Sequence, residues 1–151
     1  MYPSIVEYRP PRIAQLLLLA AVLLNWLTPM HEWLLWQNSW AGIALFVAGF
    51  AVMIIAWYQF RRADVAICPT APTARLITDG IYRLSRNPMY LGMTSMLLGL
   101  AVIVGTLPFY LSSIAFFAVM NWRFCPFEEA KLLQDFGLGF REYSRGVRRW
   151  L

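Results

Sequence analysis

Charge, histidine and cysteine are all scarce in this chain, and each scarcity closes off a class of function. Only 14% of its 151 residues are charged, too few to give a soluble domain of this size a polar surface. One histidine and two cysteines, without the paired spacing that zinc or iron needs, leave no metal site to expect. There is no Ser-His-Asp set, no phosphate-binding glycine loop and no dinucleotide fingerprint. Nothing repeats along the chain.

What is present is apolar. Hydrophobic residues make up 60% of the sequence and aromatics 16%, with a mean hydropathy of +0.54. Four runs, at about 13–29, 40–60, 90–107 and 108–126, approach the ~20 residues needed to cross ~30 Å of hydrocarbon. The first resembles a signal peptide in length, but Asn25, Trp26 and Pro29 stand where a small-residue cleavage site would be, so it reads as a retained helix. The expectation is an all-α, polytopic integral membrane protein: one domain over 1–151 with about four transmembrane helices, a cytoplasmic loop at 61–89 and a cytoplasmic amphipathic C-terminal segment at 127–151.

The basic residues set the orientation. All 13 of them, Arg9, Arg12, Arg61, Arg62, Arg75, Arg83, Arg86, Arg123, Lys131, Arg141, Arg145, Arg148 and Arg149, fall on one side of a four-span arrangement. That side is cytoplasmic by the positive-inside rule, and both termini go with it. The opposite loops, 30–39 and the Gly105–Pro108 turn, carry only His31 and Glu32. The net charge of +5 then reflects topology and attraction to anionic lipid headgroups, not nucleic acid. Cys68 and Cys125 face the reducing side, which argues against a disulfide. The inner membrane of a bacterium is the expected location.

Two polar segments interrupt the apolar pattern. Pro69 and Pro72 break any helix between the second and third spans, and the loop ends at Asp79-Gly80. Next comes Gly-Ile-Tyr-Arg-Leu-Ser-Arg-Asn-Pro-Met-Tyr-Leu-Gly, residues 80–92. Desolvating a guanidinium is costly without a partner, so arginines at the start of a span suggest a binding site. Pro88 suits the first turn of a helix and Asn87 its N-cap, which puts Arg83 and Arg86 beside free N–H groups as an anion site. After the fourth span, Pro126 precedes Glu128 and Glu129, the pattern of a helix start with acids at its positive end. Leu132, Leu133 and Phe136 give that helix an apolar side and Gly137 stops it; Phe140, Tyr143 and Val147 continue a stripe that ends in an Arg148-Arg149-Trp150 membrane anchor. Alone, this tail also reads as an interfacial helix with solvated charges.

Taken together, Gly80-x-Tyr82-x-x-x-Arg86-Asn87-Pro88-x-Tyr90-x-Gly92 and Glu128-Glu129-x-x-Leu132-x-x-x-Phe136-Gly137-x-x-Phe140-x-x-Tyr143-x-x-x-Val147 resemble the isoprenylcysteine carboxyl methyltransferase and phospholipid methyltransferase family of integral membrane enzymes. The resemblance covers residues 75–150. Asn87 stands where many members have His, and Phe140 where Tyr is usual. The resemblance implies methyl transfer from S-adenosyl-L-methionine at the membrane surface. It implies a cofactor-binding stretch of Tyr82, Arg86, Pro88, Tyr90, Leu91, Gly92, Glu128 and Glu129.

The side-chain chemistry suits that ligand. Arg86 can take a carboxylate through a bidentate fork, and the glutamates can accept from ribose hydroxyls or an ammonium. Tyr82, Tyr90 and Trp122 offer ring faces to an adenine or a sulfonium, although Tyr and Trp also anchor spans at the bilayer interface. Arg86, Asn87, Glu128 and Arg123 are the candidate catalytic residues; Asn121 and Arg123 line the pocket or hold an anionic acceptor, or else snorkel and bond between helices. Met89, Met93 and Met96 share one face of the third span as packing filler. The expected acceptor is lipid-like or a small hydrophobic molecule, with a carboxylate, amine or thiol equally served, and self-association is left open. A nicotinamide-dependent membrane reductase and a non-catalytic membrane scaffold subunit are the alternative readings.

Overall fold

The computed structural model describes residues 9–27, 35–63 and 75–151, and every regular element among them is helical. The helices are α1 (Pro10–Leu27), α2 (Ser39–Arg62), α3 (Pro88–Val104), α4 (Leu107–Val119), α5 (Cys125–Phe136) and α6 (Leu138–Gly146); a 3₁₀ turn covers Gly80–Arg83 and a π turn Met120–Phe124. His31 and Glu32 of the opposite loop, and Cys68, Pro69 and Pro72 of the linker, lie outside the described residues. Two helices, α1 and α2, are long and apolar enough to cross a membrane; α3 is apolar and 17 residues long.

Local chemistry starts and stops these helices where the sequence suggests. Pro10, Pro88 and Pro108 occupy first turns, where a missing N–H leaves no bond unmade. Asn38 caps α2, its side chain accepting from the Ala41 amide at 3.0 Å. Gly105, in the left-handed region at φ 76°, ends α3 and turns the chain into α4.

Helices α2 and α3 form the most extensive pair. Gly42 lies against Gly99 and Ile103, and Gly49 against Gly92, Ser95 and Met96, so the two helices run antiparallel with glycines seven residues apart on each. A Cβ on Gly92 would sit 2.6 Å from the Gly49 carbonyl oxygen. Small residues let backbones approach in this way where lipid gives helices no hydrophobic drive to associate. On the other side of α3, Tyr90, Leu97, Phe116, Met120, Phe124 and Cys125 make the main core, with Ile13 and Leu17 of α1 packed on it. A smaller cluster of Ala21, Ala101 and Phe109 lies further along. Helix α1 therefore runs parallel to α3. Leu16, Leu23, Val47, Phe50, Ile55, Leu111 and Ile114 are exposed on the outer surfaces of α1, α2 and α4, an apolar exterior suited to lipid.

One expectation needs correction. Pro126 does not begin a separate helix: Phe124 (φ −75°, ψ −52°) and Cys125 (φ −58°, ψ −46°) are helical, and α4 passes through the π turn into α5 unbroken. A proline inside a helix cannot donate to the residue four back and crowds its carbonyl. The π turn accommodates this by widening: the Cys125 amide donates to the Met120 carbonyl, five residues back. Glu128 and Glu129 are thus held on a continuous helix rather than at a free helix start. Gly137 (φ 50°) ends α5 and leads into α6.

Candidate active site

The polar residues meet at the end of the bundle where α2 ends and α3 begins. Gly80 adopts φ +56°, and a Cβ there would collide with the Gln59 side chain, whose Oε1 accepts from the Ile81 amide at 3.3 Å. The left-handed backbone there is one that glycine adopts without strain. It fixes the 3₁₀ turn on α2 and buries Tyr82, with its ring 5.6 Å from that of Phe60. Tyr143 of α6 donates to the Tyr82 carbonyl at 2.7 Å. Desolvation raises both phenols above their ordinary values, that of Tyr143 to about 12, so both stay protonated donors at neutral pH.

Both glutamates turn toward this segment. The Tyr90 hydroxyl donates to Glu128 Oε1 in a short hydrogen bond. Glu129 bridges two guanidiniums: Arg86 Nη2 lies 3.1 Å from its Oε1, while Arg149 donates from Nε to Oε1 (2.9 Å) and from Nη2 to Oε2 (2.5 Å). These hydrogen bonds hold the Arg149 guanidinium protonated more firmly than usual. Two positive groups and one negative leave the trio with a net charge of about +1 at neutral pH. The Nε of Arg86 is buried with no partner among the described residues. Burial lifts the Glu128 carboxyl to about 7, opposed by the Tyr90 bond and by Lys131.

The C-terminal segment closes the cluster. The Arg148 carbonyl accepts from the Arg86 amide at 3.0 Å, and the Arg149 carbonyl from Ser85 Oγ (3.1 Å) and Asn87 Nδ2 (3.2 Å). Asn87 therefore stands at the N-cap position of α3 without capping it; its side chain is turned to the C-terminal backbone. Trp150 donates its indole N–H to Asn121 Oδ1 at 2.9 Å and packs on Phe117. Asn121 also accepts from Arg149 Nη1, at both its Oδ1 and its carbonyl, each 3.4 Å away.

Tyr82, Arg86, Asn87, Pro88, Tyr90, Glu128 and Glu129 are thus brought together. Arg83, Trp122 and Arg123 are exposed, and no hydrogen bond or ion pair among the described residues joins them to the cluster. Gly92 faces α2, and Leu91 is half-buried beside it on α3. Arg149 and Ser85 were not singled out from sequence. An Arg-Arg-Trp tail reads as a surface anchor, and its fold-back is visible only in three dimensions.

The family profile of phospholipid methyltransferases matches residues 37–138, which include both glutamates and the whole 80–92 segment. The chain belongs to this family. Among curated proteins it is similar to a probable protein-S-isoprenylcysteine O-methyltransferase of Oryza sativa subsp. indica, 31% identical over 122 residues, 77% of this chain and 62% of that protein. It is also similar to protein-S-isoprenylcysteine O-methyltransferase A of Arabidopsis thaliana, 40% identical over 76 residues, 48% of this chain and 36% of the relative. The chain spans less than two thirds of the length of these relatives. No solved structure matches it.

Proposed function

We propose that this chain is an S-adenosyl-L-methionine-dependent methyltransferase that modifies a lipid-like or hydrophobic acceptor at the cytoplasmic boundary of a membrane. The observation that carries the reading is the meeting of two distant segments of a methyltransferase family member, Tyr90 with Glu128 and Arg86 with Glu129. Names of the plant relatives, which act on isoprenylcysteine, favour an acceptor of that lipid-modified kind.

The residues present fit the cofactor. A carboxylate needs a cation with donors to spare, and Arg86 has a buried unpartnered Nε within a trio of net positive charge. Glu128 accepts a bond from Tyr90, and an ionised carboxylate has capacity for several, from hydroxyls or an ammonium. Tyr82 and Tyr90 supply rings beside these charges. When bound, the cofactor supplies a methyl group already activated by its sulfonium, so the chain need contribute no strong acid or base. Arg86 and Glu128 then orient and fix charge, Asn87 holds the C-terminal segment over the site, and Trp150 and the apolar walls keep water out. Orientation of this kind is worth up to ~7–11 kcal/mol in favourable cases. Arg123, exposed on the π turn, is the candidate for meeting an anionic acceptor headgroup.

Calorimetric titration of the detergent-solubilised chain tests the reading. Saturable binding of S-adenosylhomocysteine is expected; binding of NADPH instead would sink it in favour of a reductase. Orientation is tested by labelling intact cells with an impermeant thiol reagent in a Cys68→Ser background, Cys125 being buried. A cysteine at Asn38 should be labelled and one at Ser144 should not.

A further inference from the structure

Arg149 takes up both carboxylate oxygens of Glu129 in a fork, whereas Arg86 reaches only one of them, through a single nitrogen. The arrangement is asymmetric: the carboxylate that could neutralise Arg86 is occupied by a different arginine. The second arginine is itself fixed from three sides. Its guanidinium rests on Asn121, which lies in the π turn that Pro126 requires. Its carbonyl is held by Ser85 and Asn87, and the next residue, Trp150, shares the same Asn121 oxygen. The carbonyl just before it accepts from the Arg86 amide. The C-terminal strap is thus tied to the backbone and to the side-chain charge of one residue, Arg86.

We propose that Arg149 is a positioning residue: by holding Glu129 in a bidentate fork it leaves the Arg86 guanidinium available to an anionic ligand group, and Asn121 holds Arg149 in place. The inference rests on the role proposed above for Arg86. Its electrostatic content is simple. With Arg149 present the trio carries about +1; without it, Glu129 and Arg86 cancel to about 0 and the carboxylate swings fully onto Arg86; with Glu129 then also neutral, Arg86 alone restores about +1. Arg149 need not touch the ligand for any of this.

The test compares two ligands that differ in the amino-acid end. S-adenosylhomocysteine carries its carboxylate and ammonium, and methylthioadenosine keeps the adenosine thioether without either; losing the positive charge of Arg149 can weaken only the hold on the carboxylate, since it would if anything favour the ammonium. Binding of both is measured by calorimetry on the full chain in detergent. For Arg149→Ala, about tenfold weaker binding of S-adenosylhomocysteine is expected, with methylthioadenosine nearly unchanged. In the double variant Arg149→Ala, Glu129→Gln, most of the lost affinity should return. Equal losses for both ligands, or no recovery in the double variant, would mean that Arg149 only holds the tail in place, and would overturn the proposal. Should Arg149→Ala fail to fold, Asn121→Ala serves: a smaller loss confined to the carboxylate ligand supports the proposal, and an equal or absent loss overturns it. A wild-type chain that binds neither ligand overturns the methyltransferase reading and this inference with it; selective failure of the variants overturns this inference alone.

Discussion

The two ends of the helical bundle are closed by different chemistry. At the Gly105 end the chain ties itself with neutral groups: the Leu35 amide donates to the Gly105 carbonyl (2.7 Å), the Asn38 amide to Val102 (3.0 Å), Gln37 Nε2 to Ile103 (3.0 Å) and Tyr110 to the Trp36 carbonyl (2.5 Å). At the Gly80 end the equivalent work is shared with Arg86, Glu128, Glu129 and Arg149. Neutral bonds suffice to close a helical hairpin, so folding alone does not require charges at the other end. Partly buried ion pairs are weak sources of stability, because desolvation offsets much of their attraction. The contrast supports the proposal that the Gly105 end serves architecture and the Gly80 end ligand chemistry, and each substitution below is chosen to break or sharpen it.

The largest effect should come from the shaft that keeps both ends in register. In Gly92→Leu the new side chain would meet the Gly49 carbonyl and the Met53 amide, both backbone atoms that cannot rotate away. Overpacking of this kind costs up to ~3 kcal/mol. Thermal unfolding in detergent should show a large fall in the midpoint, with ligand binding lost together with the fold. Normal stability with binding alone lost would instead place Gly92 in the ligand site and blur the division between shaft and end.

Arg86→Lys comes next and acts at one end only. A lysine keeps the charge but loses the planar fork and the buried Nε, so affinity for S-adenosylhomocysteine should fall by ~1.5–3 kcal/mol. Stability should change far less, because the Arg86 backbone amide keeps its bond to Arg148. Unchanged affinity would remove Arg86 from the ligand and with it the functional half of the contrast.

The Gly80 end was legible in outline because its residues are improbable in an apolar chain. Arg86, Glu128 and Glu129 each need a partner, and Gly80 and Pro88 mark a turn and a helix start by backbone geometry alone. What stayed hidden depends on the chain folding back. Arg149 lies 20 residues from Glu129 and 28 from Asn121, and nothing local in Arg-Arg-Trp distinguishes a clasp from a membrane anchor. The π turn was masked by Pro126 itself, since a proline before two acids has the pattern of a helix start. Gly42 and Gly49 were invisible for another reason: within an apolar span, glycines that face a neighbouring helix look like glycines that face lipid. All-helical architecture followed readily from hydropathy, whereas α3 and α4 proved shorter than the runs from which they were drawn, α3 because Gly105 ends it and α4 because the π turn takes over after Val119.

Glu128 gives a third test, through pH. Its carboxyl titrates near 7 in the folded chain, above the ordinary 4.5, so the fold binds this proton more tightly than the unfolded chain does. Its contribution to stability is therefore largest below about 4.5, falls as pH rises toward 7, and stays low above. Ligand binding should run the other way, because only the ionised form balances an ammonium and accepts at both oxygens. Affinity for S-adenosylhomocysteine should rise between about pH 6 and pH 8, and Glu128→Gln should flatten that profile and weaken binding about tenfold at the upper end. An identical profile in the variant would transfer the titration to another group and leave Glu128 as a structural partner of Tyr90.

The smallest expected effect is the most demanding of the contrast. Asn38→Ala removes the side chain that caps α2 at the neutral end and keeps the backbone bond to Val102. Losing a helix cap costs ~1 kcal/mol, which a modest fall in the thermal midpoint would register. The proposed ligand site lies at the opposite end of α2, where Gln59 holds the Gly80 turn. If the two ends are independent, affinity for S-adenosylhomocysteine should stay within about twofold of wild type, because distant sites without shared partners behave additively. A loss of affinity as large as that of Arg86→Lys would show that strain at one end passes along the glycine-packed shaft to the other. In that event the neutral bonds would serve the ligand too, and architecture and chemistry could no longer be assigned to separate ends.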